Sequence, residues 1–349
     1  MAIVKCMVTK IKVLVTGNLG YIGSVLTRHL MEKGLEVIGL DNGFFQNYSY
    51  IPRVKINKQI IKDIRNIEKD DIRGINGIIH LAAISNDPLG ELNPQITYDV
   101  NHKASIKLAK LAKDIGIERF IFSSSCSVYG SYQGGDLLSE ESELGPITAY
   151  AKSKVMTEKD LSELATESFC PVILRNSTVY GVSPRMRFDL VVNNMTGHLY
   201  TKGYIEMKSN GMPWRPNIHI LDVCNAFYKC LIAQIDKIKN QIFNVGMNSE
   251  NYRVKEIADI IASVKKGAEV KCLNLNPKDT RSYRVDFTKI KNILKFEPKY
   301  TVKDGAKEVY QSLEQKKLNE FEIAPYITLK HIKKLMNENR INENLEWIN

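Results

Sequence analysis

A run of apolar residues that breaks into three glycines at a spacing of three constrains this chain more than anything else in it. Residues 11–15 (IKVLV) are β-branched or leucine apart from one lysine, which suits a buried strand. They lead directly into GNLGYIG, with Gly17, Gly20 and Gly23, and then into a helical apolar pattern (Val25, Leu26, Leu30) that stops at Gly34. A strand, a tight glycine turn and a helix start let backbone come close to a diphosphate and aim free amides at it. Asn18, Tyr21 and Ile22 fall inside that turn and join the glycines as candidate contacts of a dinucleotide. The spacing is G-x-x-G-x-x-G rather than G-x-G-x-x-G, so the triplet needs support from residues further along the chain.

Support comes from the next strand, LEVIGL, which ends at Asp41. An acid at that distance from the glycines accepts hydrogen bonds from an adenosine ribose and repels a 2′-phosphate, which favours NAD over NADP. Asp41, Asn42 and Gly43 are equally readable as a simple turn. A third strand approaches KDIRN, where Asp63 and Ile64 would lie along the adenine. A fourth, GIIHLAA, ends in Leu81, Ala82 and Ala83, small enough in sum to let a cofactor cross the sheet. A loop, SNDPLGELNP, and one helix through TYDVNHKASIKLAKLAKDIG come next, with Asn101 inside that helix.

RFIFSSSCSVYG (residues 119–130) then reads as a buried strand ending in serines, among them Ser123 and Ser125, and YAKSK (residues 150–154) opens a helix. Positions i and i+4 share a helix face, so Tyr150 and Lys154 can enter one cavity. Using a tyrosine as a base near pH 7 requires about 3 pKa units, or ~4 kcal/mol, of preference for phenolate. One ammonium at about 4 Å supplies energy on that order at an effective dielectric of about 20. Ser125 would bond the same substrate oxygen. Taken alone, Tyr-x-x-x-Lys reads equally as a packing tyrosine beside a solvated lysine.

Composition excludes several other roles. At 349 residues the chain exceeds one average domain, and 44% hydrophobic with 25% charged residues is ordinary for a soluble globular protein. No apolar run approaches the roughly 20 residues that span a bilayer, and the first residues lack a signal peptide's apolar centre, so no membrane partner and a cytoplasmic location are expected. The net charge of +10 is spread along the chain without a basic, aromatic-interleaved stripe, which argues against nucleic acid. Cys6, Cys126, Cys170, Cys224, Cys230 and Cys272 include no Cys-x-x-Cys pair, so reduced thiols and no metal are expected.

TGNLGYIG, HLAA, SSCSVYG and YAKSK, in this order and spacing, resemble the extended short-chain dehydrogenase/reductase family, in its NAD-dependent epimerase/dehydratase group that modifies nucleotide-linked sugars. The likeness runs from about residue 11 to beyond Val309. It implies an α/β fold: a Rossmann-like doubly wound parallel sheet with a smaller, interleaved C-terminal lobe that binds the nucleotide sugar. The expected division is an NAD-binding part over 1–180, rejoined near 217–245, a lobe over 181–325, and a peripheral helix without chemistry over 326–349.

By the same resemblance Ser125, Tyr150 and Lys154 are the catalytic triad, Asn101 is a fourth member, and a homodimer forms through the helices starting near Asp99 and Ala149. The helix opened by RFDLVVNNM, with Asn193, could receive the nucleotide diphosphate at its start. Arg215 in WRPNIHILDV resembles the family arginine on the pyrophosphate, and Arg281 is a second candidate, with a structural ion pair as its alternative. The family's dehydratases place an acid directly after the catalytic Ser or Thr. Here Cys126 and Ser127 occupy those positions, which disfavours dehydration, and Cys126 joins Ser125 as a candidate substrate contact. Thr178 stands where the family often has Asn, and NPKD (276–279) replaces its Arg-Pro-Gly-Asp motif, so base and sugar stay open. The expected activity is an NAD-dependent nucleotide-sugar epimerase working through a 4-keto sugar. A C4 dehydrogenase or 4-ketoreductase and a non-catalytic NAD-binding regulator are the alternatives.

Overall fold

The computed structural model describes residues 11–132, 136–207, 209–273 and 281–348. Cys6 and the NPKD segment lie outside them. In chain order the strands are β1 (Lys12–Thr16), β2 (Glu36–Asp41), β3 (Lys58–Ile61), β4 (Gly77–His80), β5 (Arg119–Ser125), β6 (Cys170–Asn176), β7 (Thr178–Tyr180), β8 (Ile205–Met207), β9 (Trp214–His219), β10 (Ile242–Val245), β11 (Asn251–Arg253) and β12 (Val270–Cys272).

Seven of them form one sheet in the order β10-β6-β5-β4-β1-β2-β3, and every pairing in it is parallel. Parallel strands are buried on both faces, so side chains alternate between two apolar layers. Val13 and Val15 join Leu26, Leu30, Val223 and Phe227 on one face. Leu14, Phe120 and Phe122 join Leu108, Ala112 and Leu161 on the other. The sheet is therefore Rossmann-like and doubly wound, as the sequence predicts.

The strand order reverses at β1, which lies between β2 and β4. Crevices at such a reversal, beyond the carboxyl ends of the strands, are where open α/β sheets bind ligands. The chain rejoins this sheet late: helix Ile220–Ile232 packs on helix Tyr21–Glu32, and β10 adds to β6. A second, smaller body surrounds helices Val191–Lys202, Val254–Ala262 and Val302–Lys316, with its own core of Met195, Leu199, Ile257, Ile261 and Val302. The sheet β11-β9-β7 and the pair β12-β8 belong to this side.

One helix differs from its sequence pattern. Where a single helix is expected over 97–116, a π-helical turn, Asp99–Lys103, separates Pro94–Tyr98 from Ala104–Asp114. The wider turn carries Asn101, whose carboxamide bonds both the N–H and the C=O of Ile84. A side chain that satisfies a loop's backbone stabilises the bulge that aims it.

Candidate active site

A cavity of about 1090 Å³ opens beyond the carboxyl ends of β1, β2, β4 and β5. This is at the upper end of the ~300–1,000 Å³ usual for small-molecule sites, which leaves room for two ligands side by side. Its floor is set by hydrogen bonds between β1 and β4. The Thr16 hydroxyl accepts from the amides of Leu81 and Ala82 and meets His80 Nδ1 at 2.6 Å. His80 is buried, and burial followed by the charge of Lys154 pushes its imidazole down to about 3, so it stays neutral. Ala82 consequently lies against Gly17, where a Cβ would come within 2.9 Å of the Ala82 nitrogen and the φ of +71° already disfavours a side chain. At Gly23 a Cβ would fall 2.1 Å from the Gly17 carbonyl oxygen. These two positions bring the turn flat onto the start of helix Tyr21–Glu32, the cradle a diphosphate needs.

Gly17, Gly20, Tyr21, Ile22 and Gly23 line the cavity, as do Asp41, Asn42, Asp63 and Ile64 at one end and Leu81, Ala82, Ala83 and Ser123 in the middle. Asp41 accepts from the amides of Gly43 and Leu19 at 2.8 and 3.1 Å, which fixes its carboxylate at the tip of β2. Asn18 does not face the cavity. It is buried, and its carboxamide pairs with that of Gln59 in both directions.

Ser125, Tyr150 and Lys154 meet at the opposite end. Ser125 terminates β5, and its hydroxyl accepts from the Ser127 amide at 3.1 Å. Thr148 caps helix Ala149–Leu164 by accepting from the Ala151 amide at 3.2 Å, which presents Tyr150 in the first turn. Tyr150 and Ser125 line the same stretch of the cavity wall, and the serine favours the ionised phenol. Lys154 Nζ donates to the Ser123 carbonyl at 2.7 Å and lies 5.6 Å from the centre of the Tyr150 ring.

The electrostatics differ from the sequence expectation. Burial, and next the charge of Asp87, push the Tyr150 phenol up to about 12, while Ser125, Arg187 and Arg281 pull it the other way. The largest influences on it are these rather than Lys154. Burial pushes the Lys154 ammonium itself down to about 7, opposed by Glu158. With burial dominating both groups, the pair on its own does not favour a phenolate.

Three other expectations are corrected. Asn101 is fully buried and absent from the cavity wall. Besides Ile84 it bonds Ser153 Oγ at 3.1 Å, and Ser153 bonds the Tyr150 carbonyl, so Asn101 positions the tyrosine helix. Cys126 is 1% exposed and its thiol donates to the Arg175 carbonyl. β5 ends at Ser125, and in the 3-10 turn Cys126–Tyr129 that comes next, Cys126 packs into a small core while Ser127 lines the cavity. Asn193 is also buried: its oxygen accepts from the Gly181 amide, and its nitrogen donates to the Tyr21 hydroxyl and the Arg187 carbonyl. From the start of that helix, Leu190 and Val191 reach the cavity instead.

Arg215 and Arg281 line the cavity together. Arg215 donates to the Trp214 and Arg281 carbonyls, and Arg281 pairs with Asp87 at 2.9 Å. Asp87 also accepts from the Thr148 hydroxyl, which ties the loop after β4 to the helix that presents Tyr150. Asp87 was not singled out from the sequence, although Asn86-Asp87-Pro88 is a helix-start signal that could have drawn attention to it. Arg185 and Arg187, also missed, are buried cations on the cavity wall. Arg187 forks onto Asp189 at 2.8 and 3.2 Å. Burial pushes that carboxyl up, but the charge and hydrogen bonds of Arg187, together with Arg185 and Thr328, outweigh it and hold Asp189 at about 2. No group of three or more His, Cys, Asp or Glu that could hold a metal ion occurs among the described residues, and no helix among them is long and apolar enough to cross a membrane.

The chain has relatives of known name. It is 29% identical over 313 residues to an uncharacterized UDP-glucose epimerase, YtcB, of Bacillus subtilis, covering 84% of this chain and 95% of that one. The fold matches the structure of the UDP-glucuronic acid 4-epimerase of Bacillus cereus in complex with UDP-glucuronic acid and NAD, at a TM-score of 0.75 and 25% identity, over 87% and 99% of the two chains. It also matches TunA, an NAD-dependent NDP-hexosamine 5,6-dehydratase, at a TM-score of 0.76 and 24% identity, over 87% and 97%. Residues 13–246 match the NAD dependent epimerase/dehydratase family, and these residues supply every strand of the main sheet and most of the cavity wall. The protein is therefore an enzyme of the NAD dependent epimerase/dehydratase family, with NAD as its cofactor.

Proposed function

We propose that this enzyme is a nucleotide-sugar epimerase that oxidises C4 of the sugar reversibly. The reading rests on one observation: Tyr150, Ser125 and Lys154 line the same cavity whose far end carries the glycine turn and Asp41. Bound NAD supplies a hydride acceptor and donor. Tyr150 takes the C4 hydroxyl proton and later returns it, while Ser125 orients the same oxygen. With burial holding the free phenol up at about 12, its use as a base requires positive charge brought to the hydroxyl when the site fills. Lys154, Arg187 and Arg281 are the cations within reach of that task, and Arg215 and Arg281 are suited to the substrate diphosphate.

Support for epimerisation over dehydration comes from the carboxylates on the wall around Tyr150. Asp87 is taken by Arg281 and Thr148, Asp189 by Arg187, and Glu91 by the Ala149 amide. None is a spare acid for protonating a leaving hydroxyl, and Cys126 is turned away. Asp41 favours NAD over NADP, and a homodimer through helices Ala104–Asp114 and Ala149–Leu164 belongs to the same reading.

Incubation with a panel of UDP-, dTDP-, GDP- and CDP-sugars tests it, following absorbance at 340 nm together with product stereochemistry. An inverted C4 centre without net NADH is expected. Stoichiometric NADH with a keto product would assign the enzyme instead as a C4 dehydrogenase, and a 4-keto-6-deoxy product would make it a dehydratase.

A further inference from the structure

The segment expected to be peripheral lies over the cavity. Helix Thr328–Asn337 (TLKHIKKLMN) places Leu329, Ile332 and Leu335 on one face and Lys330, Lys333 and Lys334 on the other. Its apolar face, with Ile341, Leu345 and Trp347 after it, forms a separate small core with Phe44 and Phe45 from the loop after β2 and with Ile84 and Leu89 from the loop after β4. The segment thus spans the crevice between the two loops that flank the glycine turn. Leu329, Ile332 and Leu345 are part of the cavity wall.

Polar contacts fix it there. At its start Thr328 accepts from Arg185 and donates its amide to Asp189, which anchors the base of the helix. Beyond that anchor, Trp347 Nε1 donates to the Asn42 carbonyl at 2.6 Å, and its ring meets Phe44 edge to face. Buried His331 bonds the Phe44 carbonyl through Nε2 at 2.8 Å. Arg65, held by Asp63, donates to the Leu345 carbonyl at 3.3 Å. Asn42, Asp63 and Ile64 line the cavity where the sequence reading puts the adenosine, and Asp41 precedes Asn42 directly. From His331 onward these bonds therefore join the segment to the adenosine end of the groove.

We propose that residues 328–348 are the outer wall of the adenosine half of the NAD site, and that their docking sets how fast the dinucleotide leaves. The proposal rests on the reading of this groove as an NAD site. A strap tied to both flanking loops must loosen before the adenosine end can withdraw, so the cofactor is retained across turnovers, as an enzyme that returns its hydride to the same substrate requires.

Two measurements on the whole protein test it. In the first, protein loaded with 1,N6-etheno-NAD is chased with excess NAD and release is followed by fluorescence. Trp347→Ala and a chain ended after residue 338 should each release the probe at least tenfold faster than the wild type. In the second, hydrogen exchange of the wild type is compared with and without ADP-ribose or nicotinamide mononucleotide. ADP-ribose, which carries the adenosine half, should slow exchange across 328–348, and nicotinamide mononucleotide should not. Unchanged release from both variants, or protection of 17–23 by ADP-ribose with none at 328–348, would overturn the proposal while leaving the NAD site standing. Failure of the wild type to bind either probe would overturn both.

Discussion

The two ends of the cavity are built in opposite ways. At the Tyr150 end the reacting groups come from β5 and the helix that begins at Ala149, elements close in sequence and each started by a local signal: a run of serines after a strand, and a Thr148 cap. At the other end the acids lie at the tip of β2 and just after β3, but the wall is completed by Leu329, Ile332 and Leu345, in a segment held by Trp347 and His331 about 300 residues further along the chain. Chemistry is held by short-range structure, which is stiff and keeps reacting atoms in place. Retention is handed to a distant segment that reaches the groove only through the folded chain.

Substitutions can break or sharpen this contrast. The largest effect is expected for Tyr150→Phe: turnover should fall by roughly 10³-fold or more with dinucleotide affinity within a few-fold of wild type. Near-normal turnover would remove the Tyr150 end from the chemistry altogether. Arg281→Ala should raise KM for the nucleotide sugar by roughly 10- to 100-fold and leave etheno-NAD release unchanged, because its partner Asp87 belongs to the Tyr150 end. A faster release would blur the division between the two ends.

Lys154→Met separates activity from stability. Its ammonium titrates near 7 when folded against an ordinary value of 10.5, so the unfolded chain keeps the proton that the folded one releases between those values. The cost of burying the charge is present in full below about pH 7 and is relieved as pH rises toward 10.5. The variant should therefore be inactive yet more stable than wild type at pH 6, by about 1–3 kcal/mol, with the gain shrinking toward pH 10. Thermal unfolding of ligand-free protein at the two pH values checks it, and a variant less stable at pH 6 would show that Lys154 is not a strained group. Cys126→Ala should have the smallest effect, less than about twofold on turnover, since the thiol faces Arg175 and not the cavity. A tenfold loss in folded protein would return Cys126 to the site.

Much of this was legible from residue order. The apolar stretch, the glycines at 17 and 23 and the acid at 41 specify a strand, a turn that only glycine fits, and a carboxylate at the tip of β2, because each depends on backbone geometry within a few residues. Tyr150 and Lys154 were legible because a helix puts i and i+4 on one side. Facing direction was less so. Asn101 and Asn193 carry the right chemistry for a site, yet a π-turn and a buried tyrosine hydroxyl take their amides, and no local pattern announces either partner.

What the sequence alone determined is the first strand with its glycine turn and the placing of Tyr150 and Lys154 on one helix face, set by periodicity and by contacts between near neighbours, while the parallel sheet followed from the family resemblance. Only the tertiary structure decided the charge state of that pair, since burial and the opposing fields of Asp87, Arg187 and Arg281 come from chain segments that meet through folding. It also decided that residues 328–348 close the groove. An amphipathic helix states that it must cover something apolar, but which surface it covers depends on where the loops after β2 and β4 leave Phe44, Phe45, Ile84 and Leu89 exposed to receive it.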